Sequence, residues 1–245
     1  MDIRLIIDEP ARGSWNMAVD ETLLLGAGQG GGAALRFYQW AEPTLSLGYF
    51  QKIAARSEHP PSSELPVIRR ATGGGAIIHH HELTYSFVTP IRDRFSPEVQ
   101  DCVMQFHLSL IATLAEDGIK ARLCGDAAAE EQSDNFLCFQ RRNSLDLLIG
   151  DSKFVGSAQR RHQGALLQHG SILLSRSPLA EALPGLEDLA GVTLNVRALI
   201  QRWSAHLSGE FGFDLVTSTL LETESSFALE IERARFADEN WTYKR

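Results

Sequence analysis

Five stretches rich in β-branched and aromatic residues crowd into one part of the chain, at Leu35 to Trp40, Thr44 to Tyr49, Val67 to Arg70, Ala76 to His80 and Leu83 to Thr89. Several of the gaps between them are far shorter than the crossover that parallel neighbours need, so their spacing predicts a largely antiparallel sheet. Three more candidates follow, at Ser144 to Ile149, Lys153 to Ala158 and Ala165 to Leu174, the first two joined by a Gly150-Asp151 turn of the kind hairpins favour. Ile3 to Ile7 alternates poorly but is also strand-like.

Helical patterns surround this block. Ser14 is placed to cap a helix carrying Met17, Glu21, Leu24 and Leu25 and ending at Gly26. Ser96-Pro97 opens an amphipathic helix with Val99, Val103, Phe106, Leu110 and Leu114 on one face, stopped near Gly118. Two more helices are expected around Val196 to Leu207 and Ser226 to Arg235. The expected fold is therefore α+β, a mixed and largely antiparallel sheet flanked by helices. At 245 residues with no low-complexity linker, the chain reads as one domain over residues 1–245.

No apolar run approaches the roughly 20 residues that cross a bilayer, and the start carries no signal-peptide pattern, so a cytoplasmic location away from membranes is expected. The formal charge of −8 speaks against nonspecific nucleic-acid binding. Against that background, arginines pair locally at Arg69-Arg70, Arg141-Arg142 and Arg160-Arg161, where they could face an anionic ligand or an acidic protein as readily as solvent. Cys102, Cys124 and Cys138 form no CxxC pair, which argues against a disulfide framework or a zinc ribbon.

Four segments invite a chemical reading. Gly26 to Gly32 spells GxGxxG, but it follows a helix and precedes a strand, the reverse of a dinucleotide site, and reads as a loop. In Arg69-Arg70-Ala71-Thr72-Gly73-Gly74-Gly75, glycines let the backbone approach a ligand while arginines supply charge, although a plain tight turn needs the same residues. The run His79-His80-His81-Glu82 lies in a strand, where neighbouring side chains point to opposite faces and cannot converge on one ion; no metal is expected, with one histidine facing the glycine-rich turn. Lys153 opens a strand of small residues, Gly156-Ser157-Ala158-Gln159, leaving room for a ligand beside a cation.

These segments, together with Glu82-Leu83-Thr84-Tyr85-Ser86, Gln168-His169-Gly170-Ser171, Asn16-Met17-Ala18-Val19-Asp20-Glu21 and Phe236-Ala237-Asp238-Glu239-Asn240-Trp241, resemble the biotin/lipoate protein ligase family over nearly the whole chain. Cys138-Phe139, fifteen positions before Lys153, is similar to the cysteine-dependent octanoyltransferases of that family. The resemblance implies octanoyl transfer from acyl carrier protein, through a thioester on Cys138, to a lysine of a lipoyl domain or of the glycine-cleavage H protein. A lysine beside a thiol favours the thiolate and can shuttle its proton.

On this reading Cys138 and Lys153 are catalytic, and substrate is bound by Arg70, Thr72, Gly73, Gly74, Gly75, His79, Gly156, Ser157, Ala158, Gln159, His169 and Gly170, with no cofactor required. Two alternatives stay open. One is a lipoate-protein ligase, which would need ATP and magnesium, and the other is a noncatalytic subunit that binds acyl chains or lipoyl domains.

Overall fold

A computed structural model describes residues 2–91, 99–126 and 135–245. Its centre is an eight-stranded sheet in the order β11-β1-β2-β6-β10-β9-β8-β7. The strands are β1 (Asp2–Ile7), β2 (Ala34–Tyr38), β6 (Glu82–Pro90), β7 (Arg122–Leu123), β8 (Leu147–Ile149), β9 (Ser152–His162), β10 (Ala165–Leu173) and β11 (Asp214–Ser218). β1 runs parallel to β2 and β11, and every other pairing in this sheet is antiparallel. A second sheet joins β3 (Thr44–Leu47) to β4 (Val67–Arg69) and β5 (Ile77–His79).

Helices cover both faces of the large sheet. On one face α2 (Val99–Ala115) and α4 (Val196–Phe211) pack over Leu35, Phe37, Tyr85, Phe87 and Phe154, with the short α3 (Leu186–Ala190) at the rim. On the other, α1 (Gly13–Gly28) and α5 (Glu222–Ile231) bury Met17, Val19, Leu24, Tyr38, Val88 and Leu167. β2 and β6 are buried on both faces, and polar residues such as Arg36 in β2 and Glu82, Thr84 and Ser86 in β6 are buried with them. α6 (Glu239–Thr242) follows a π-type turn at Glu232–Phe236.

The expected fold class is therefore found, with local corrections. Helix α1 starts one residue before Ser14 and runs on to Gly28; the Ser14 hydroxyl donates to Glu232 at 2.6 Å instead of capping. Gly26 and Gly28 of the GxGxxG are thus helical, and the turn begins at Gln29. Strand β11 was not expected, because at a sheet edge it is mostly exposed and has little apolar patterning to reveal it. The Ser96-Pro97 start of α2 lies outside the described residues.

Trp203 anchors the first core. It is fully buried, meets Phe37 at 5.5 Å and Tyr85 at 5.0 Å edge-on, and donates from Nε1 to Ser109 at 2.8 Å. Removing a fully packed indole leaves a cavity and an unpartnered hydroxyl, so Trp203→Ala is expected to cost about 3–5 kcal/mol of unfolding free energy. Phe227→Ala, at a side chain 40% exposed, should stay within about 0.5 kcal/mol. Urea denaturation followed by far-UV circular dichroism checks both values.

Candidate active site

The sheets meet around a mostly apolar cavity lined by residues of both, among them Ile77 of β5 and Gly156, Ala158 and Gly170 of β9 and β10. Cys138 opens onto it from a single 3₁₀ turn, Cys138–Gln140. Main-chain hydrogen bonds pin that turn to the end of the glycine-rich segment: Ala76 N–H donates to Phe136 O at 3.0 Å and Cys138 N–H to Ala76 O at 2.7 Å. Gly75 makes the approach achievable. A Cβ there would stand 2.9 Å from both Cα and N of Cys138, backbone atoms that cannot give way.

Lys153 comes from β9 and is buried. Its Nζ pairs with Asp146 at 2.7 Å and donates to the carbonyls of Cys138 and Arg141, each at 3.3 Å. All three ammonium protons are thereby directed, and the ring of Phe139 lies 5.3 Å from Nζ. Burial pushes the Asp146 carboxyl up, and the ammonium opposes that push. Gly156 leaves the channel in which the lysine lies, since a Cβ at that position would come within 2.9 Å of Lys153 Cε.

Arg69 and Arg70 part company, as adjacent strand residues must. Arg69 donates to the carbonyls of Gly48, Gln51 and Thr242, tying the chain's end to the loop after β3. Arg70 faces the cavity. Its Nη1 binds Ser46 O at 3.0 Å and Ser46 Oγ at 2.5 Å, and its Nη2 holds Gly73 O at 3.2 Å and Gly75 O at 2.9 Å. Burial lowers the guanidinium's pKa, and nearby Cys138 and Glu82 act the other way. Arg70 therefore braces the glycine turn and lends the cavity positive potential, rather than offering idle donors.

The chain of bonds continues through the one histidine of the triplet that lines the cavity. Ser46 Oγ lies 2.6 Å from His79 Nε2, and His79 Nδ1 lies 2.7 Å from Glu82. Burial lowers the His79 pKa and favours the neutral ring, which then accepts from Ser46 and donates to Glu82. Trp40 stacks on that ring at 3.7 Å. His80 bonds Ser177 and His81 bonds the Arg176 carbonyl, both outside the cavity. Among the described residues no cluster of three or more His, Cys, Asp or Glu side chains is placed to hold a metal ion.

Beneath His169, which also lines the cavity, a buried ionic network props the floor. His169 Nε2 meets Thr72 Oγ1 at 2.7 Å, and its Nδ1 faces Asp20 at 3.7 Å. Asp20 accepts from Tyr38, Ser86 and the fully buried Arg36, which also pairs with Asp8. Burial pushes the Asp20 carboxyl up, but His169 and Arg36 outweigh it and the net shift is downward.

On the neighbouring strand β9, next to the Ala158 that pairs with His169, Ser157 is held between Tyr85 Oη and His107 Nε2, each 2.7 Å away. His107 Nδ1 donates to the Leu145 carbonyl at 2.5 Å, so Nε2 must accept from Ser157, and Ser157 must accept from Tyr85. Burial takes the His107 pKa down to about 4.

Of the residues anticipated from sequence, Cys138, Arg70, Gly73, Gly74, His79, Gly156, Ser157, Ala158, His169 and Gly170 line the cavity. Lys153, Thr72 and Gly75 stand behind the lining, against Cys138 or His169. Gln159 does not line it; its amide donates to Gln168 at 2.7 Å. Sequence reading missed Asp146, His107, Asp20 and Arg36. A buried lysine needs a carboxylate, so the acid preceding the Leu147–Ile149 strand was the available signal for Asp146.

The sequence profile of the lipoyl protein ligase A/B catalytic domain matches residues 12–204. Octanoyltransferase LipM of Symbiobacterium thermophilum is 30% identical, with 95% of each chain covered. LipM of Brevibacillus brevis is 29% identical, with 99% of each covered. Among solved structures, protein Ta0514 of T. acidophilum superposes with a TM-score of 0.80 at 23% identity over the whole of both chains. A lipoate-protein ligase A bound with ATP gives 0.74 at 21% identity over 99% of each chain. At these identities the structural likeness is one of fold.

The neutral His107 makes stability depend on pH. Its folded pKa, about 4, lies below the ordinary 6.5, so below pH 6.5 the unfolded chain binds a proton that the fold refuses. Stability that is fully present above pH 6.5 is therefore lost as pH falls to about 4, by roughly 3 kcal/mol. Urea unfolding of His107→Gln across that window should show a correspondingly smaller loss; an unchanged loss would exclude the assignment.

Proposed function

The chain belongs to the lipoyl protein ligase A/B catalytic domain family, and from that membership we propose that it transfers octanoyl groups to protein lysines through a thioester on Cys138. It is an acyltransferase of lipoate biosynthesis, as its octanoyltransferase relatives over nearly the full chain support. The observation that carries the thioester reading is the meeting of Cys138, at the cavity wall, with the ammonium of Lys153 on its own carbonyl. The other cysteines are buried, and burial pushes the Cys102 thiol up to about 12, out of range as a nucleophile.

In the proposed first half-reaction Cys138, as the thiolate, attacks the carbonyl carbon of an octanoyl thioester carried by acyl carrier protein. The carrier's C–S bond breaks, and the departing thiolate takes a proton from the Lys153–Asp146 pair. In the second, the amine of a lysine on a lipoyl domain or H protein attacks the Cys138 thioester. The amide forms, the Cys138 thiolate leaves, and the proton shed by the amine returns to Lys153.

Both steps build negative charge on the carbonyl oxygen, where the Arg70 guanidinium and the Lys153 ammonium supply fixed positive potential within a mostly apolar pocket. Neither half-reaction consumes a nucleotide. The mostly apolar lining suits an eight-carbon chain.

Octanoyl transfer from carrier protein to a lipoyl domain should therefore proceed without ATP or magnesium. Cys138→Ser should lower turnover at least roughly 10³-fold, and Lys153→Ala about 10²–10⁴-fold. Transfer that requires ATP and survives Cys138→Ser would instead establish an acyl-adenylate ligase. Gel-shift assay of the lipoyl domain distinguishes these outcomes.

A further inference from the structure

A cationic, aromatic shelf adjoins the cavity mouth. Phe50, 70% exposed, reaches to 4.0 Å of the point where a Cβ on Gly73 would stand, and Gly73 lines the cavity. Tyr49 meets Phe50 edge-on at 4.9 Å and donates its N–H to Thr72 O at 2.8 Å. Outward from there the Lys244 ammonium sits 3.7 Å from the Tyr49 ring and 3.3 Å from the Trp241 ring. The Arg245 guanidinium lies over Phe50 at 5.4 Å.

These cations are held by ring faces and not by carboxylates. Among the described residues no Asp or Glu forms an ion pair with Lys244 or Arg245. Glu21 is committed to Arg160 and Arg235, and Asp238 caps α6. Partial burial, then the charges of Arg69, Arg235, Arg245 and Arg160, bring the Lys244 pKa down to about 8. Like charges are thus crowded beside the mouth of a chain whose formal charge is −8. Such crowding opposes folding and is relieved when an anionic surface covers it.

Resting on the thioester reading above, we propose that Phe50, Lys244 and Arg245 form the docking surface for the acidic face of the carrier protein that delivers the acyl group. Lys244 and Arg245 share the Tyr49 ring, and Lys244 and Arg235 share the Trp241 ring, so the cations form one patch that complements an acidic protein surface. The shelf joins the cavity wall at Gly73 through Phe50, and none of Phe50, Lys244 and Arg245 lines the cavity itself. A carrier reaches the cavity with a phosphopantetheine arm, so its body can rest to one side. An acceptor protein has only a lysine side chain to extend and must sit over the opening.

The test follows the first half-reaction by time-resolved intact-mass spectrometry in Lys244→Glu/Arg245→Glu, with Lys244→Gln/Arg245→Gln as a milder pair. Donors are octanoyl carrier protein and uncharged octanoyl-pantetheine. The expected result is a KM for the carrier raised at least about 10-fold in the charge-reversed pair, with acylation by octanoyl-pantetheine and transfer to a lipoyl domain both within about twofold of the parent. An unchanged carrier KM would overturn the proposal, as would equal slowing with both donors or slowing confined to transfer onto the lipoyl domain. If the parent takes no acyl group from octanoyl carrier protein, the thioester reading itself has failed; if it does and the variants use the carrier as well as the parent, only the docking surface is wrong.

Discussion

An ammonium taken out of water must be matched by a carboxylate and have its protons accepted, or it destabilises the fold by several kcal/mol. Lys153 meets that requirement with Asp146 and with the carbonyls of Cys138 and Arg141. The same bonds that make the buried charge tolerable fix the Cys138 turn against β9. The electrostatics that would tune the sulfur and the packing that positions it are thus one set of contacts. Neither partner of the pair can be removed without loosening the turn that carries the thiol.

The glycine-rich segment supplies the opposing half of the clamp. Arg70 gathers its carbonyls, Gly75 admits the Cys138 backbone, and the bridge between Ala76 and Leu137 ties the small sheet to the 3₁₀ turn. His79 and Glu82 extend this scaffold under Trp40, and Asp20 with Arg36 extends it under His169. Arg70, His79 and His169, the charged and imidazole groups of the wall, are therefore each engaged by neighbouring polar groups. What faces the interior is largely carbon, with the sulfur at its edge.

Most strands were legible because β-branched and aromatic runs punctuated by glycine have few other readings. The wall residues were legible because glycines and a cysteine near a lysine form a recognisable set. Partnerships were not. Asp146 looks like any loop acid until the chain brings Lys153 over it, and His107 sits on the apolar face of α2 with no neighbour in sequence to explain it. Arg69 and Arg70 read as one cationic pair, yet strand alternation sends the first to the carbonyl of Thr242 and the second to the cavity. Strand β11 is too exposed for its composition to announce it.

The account turns on a single covalent bond. Incubating the purified chain with octanoyl carrier protein, quenching in acid, and mapping peptides by mass spectrometry reports whether and where that bond forms. One octanoyl group on the peptide containing Cys138, released by neutral hydroxylamine, is the predicted result. An unmodified Cys138 under conditions in which the lipoyl domain still becomes octanoylated would contradict it.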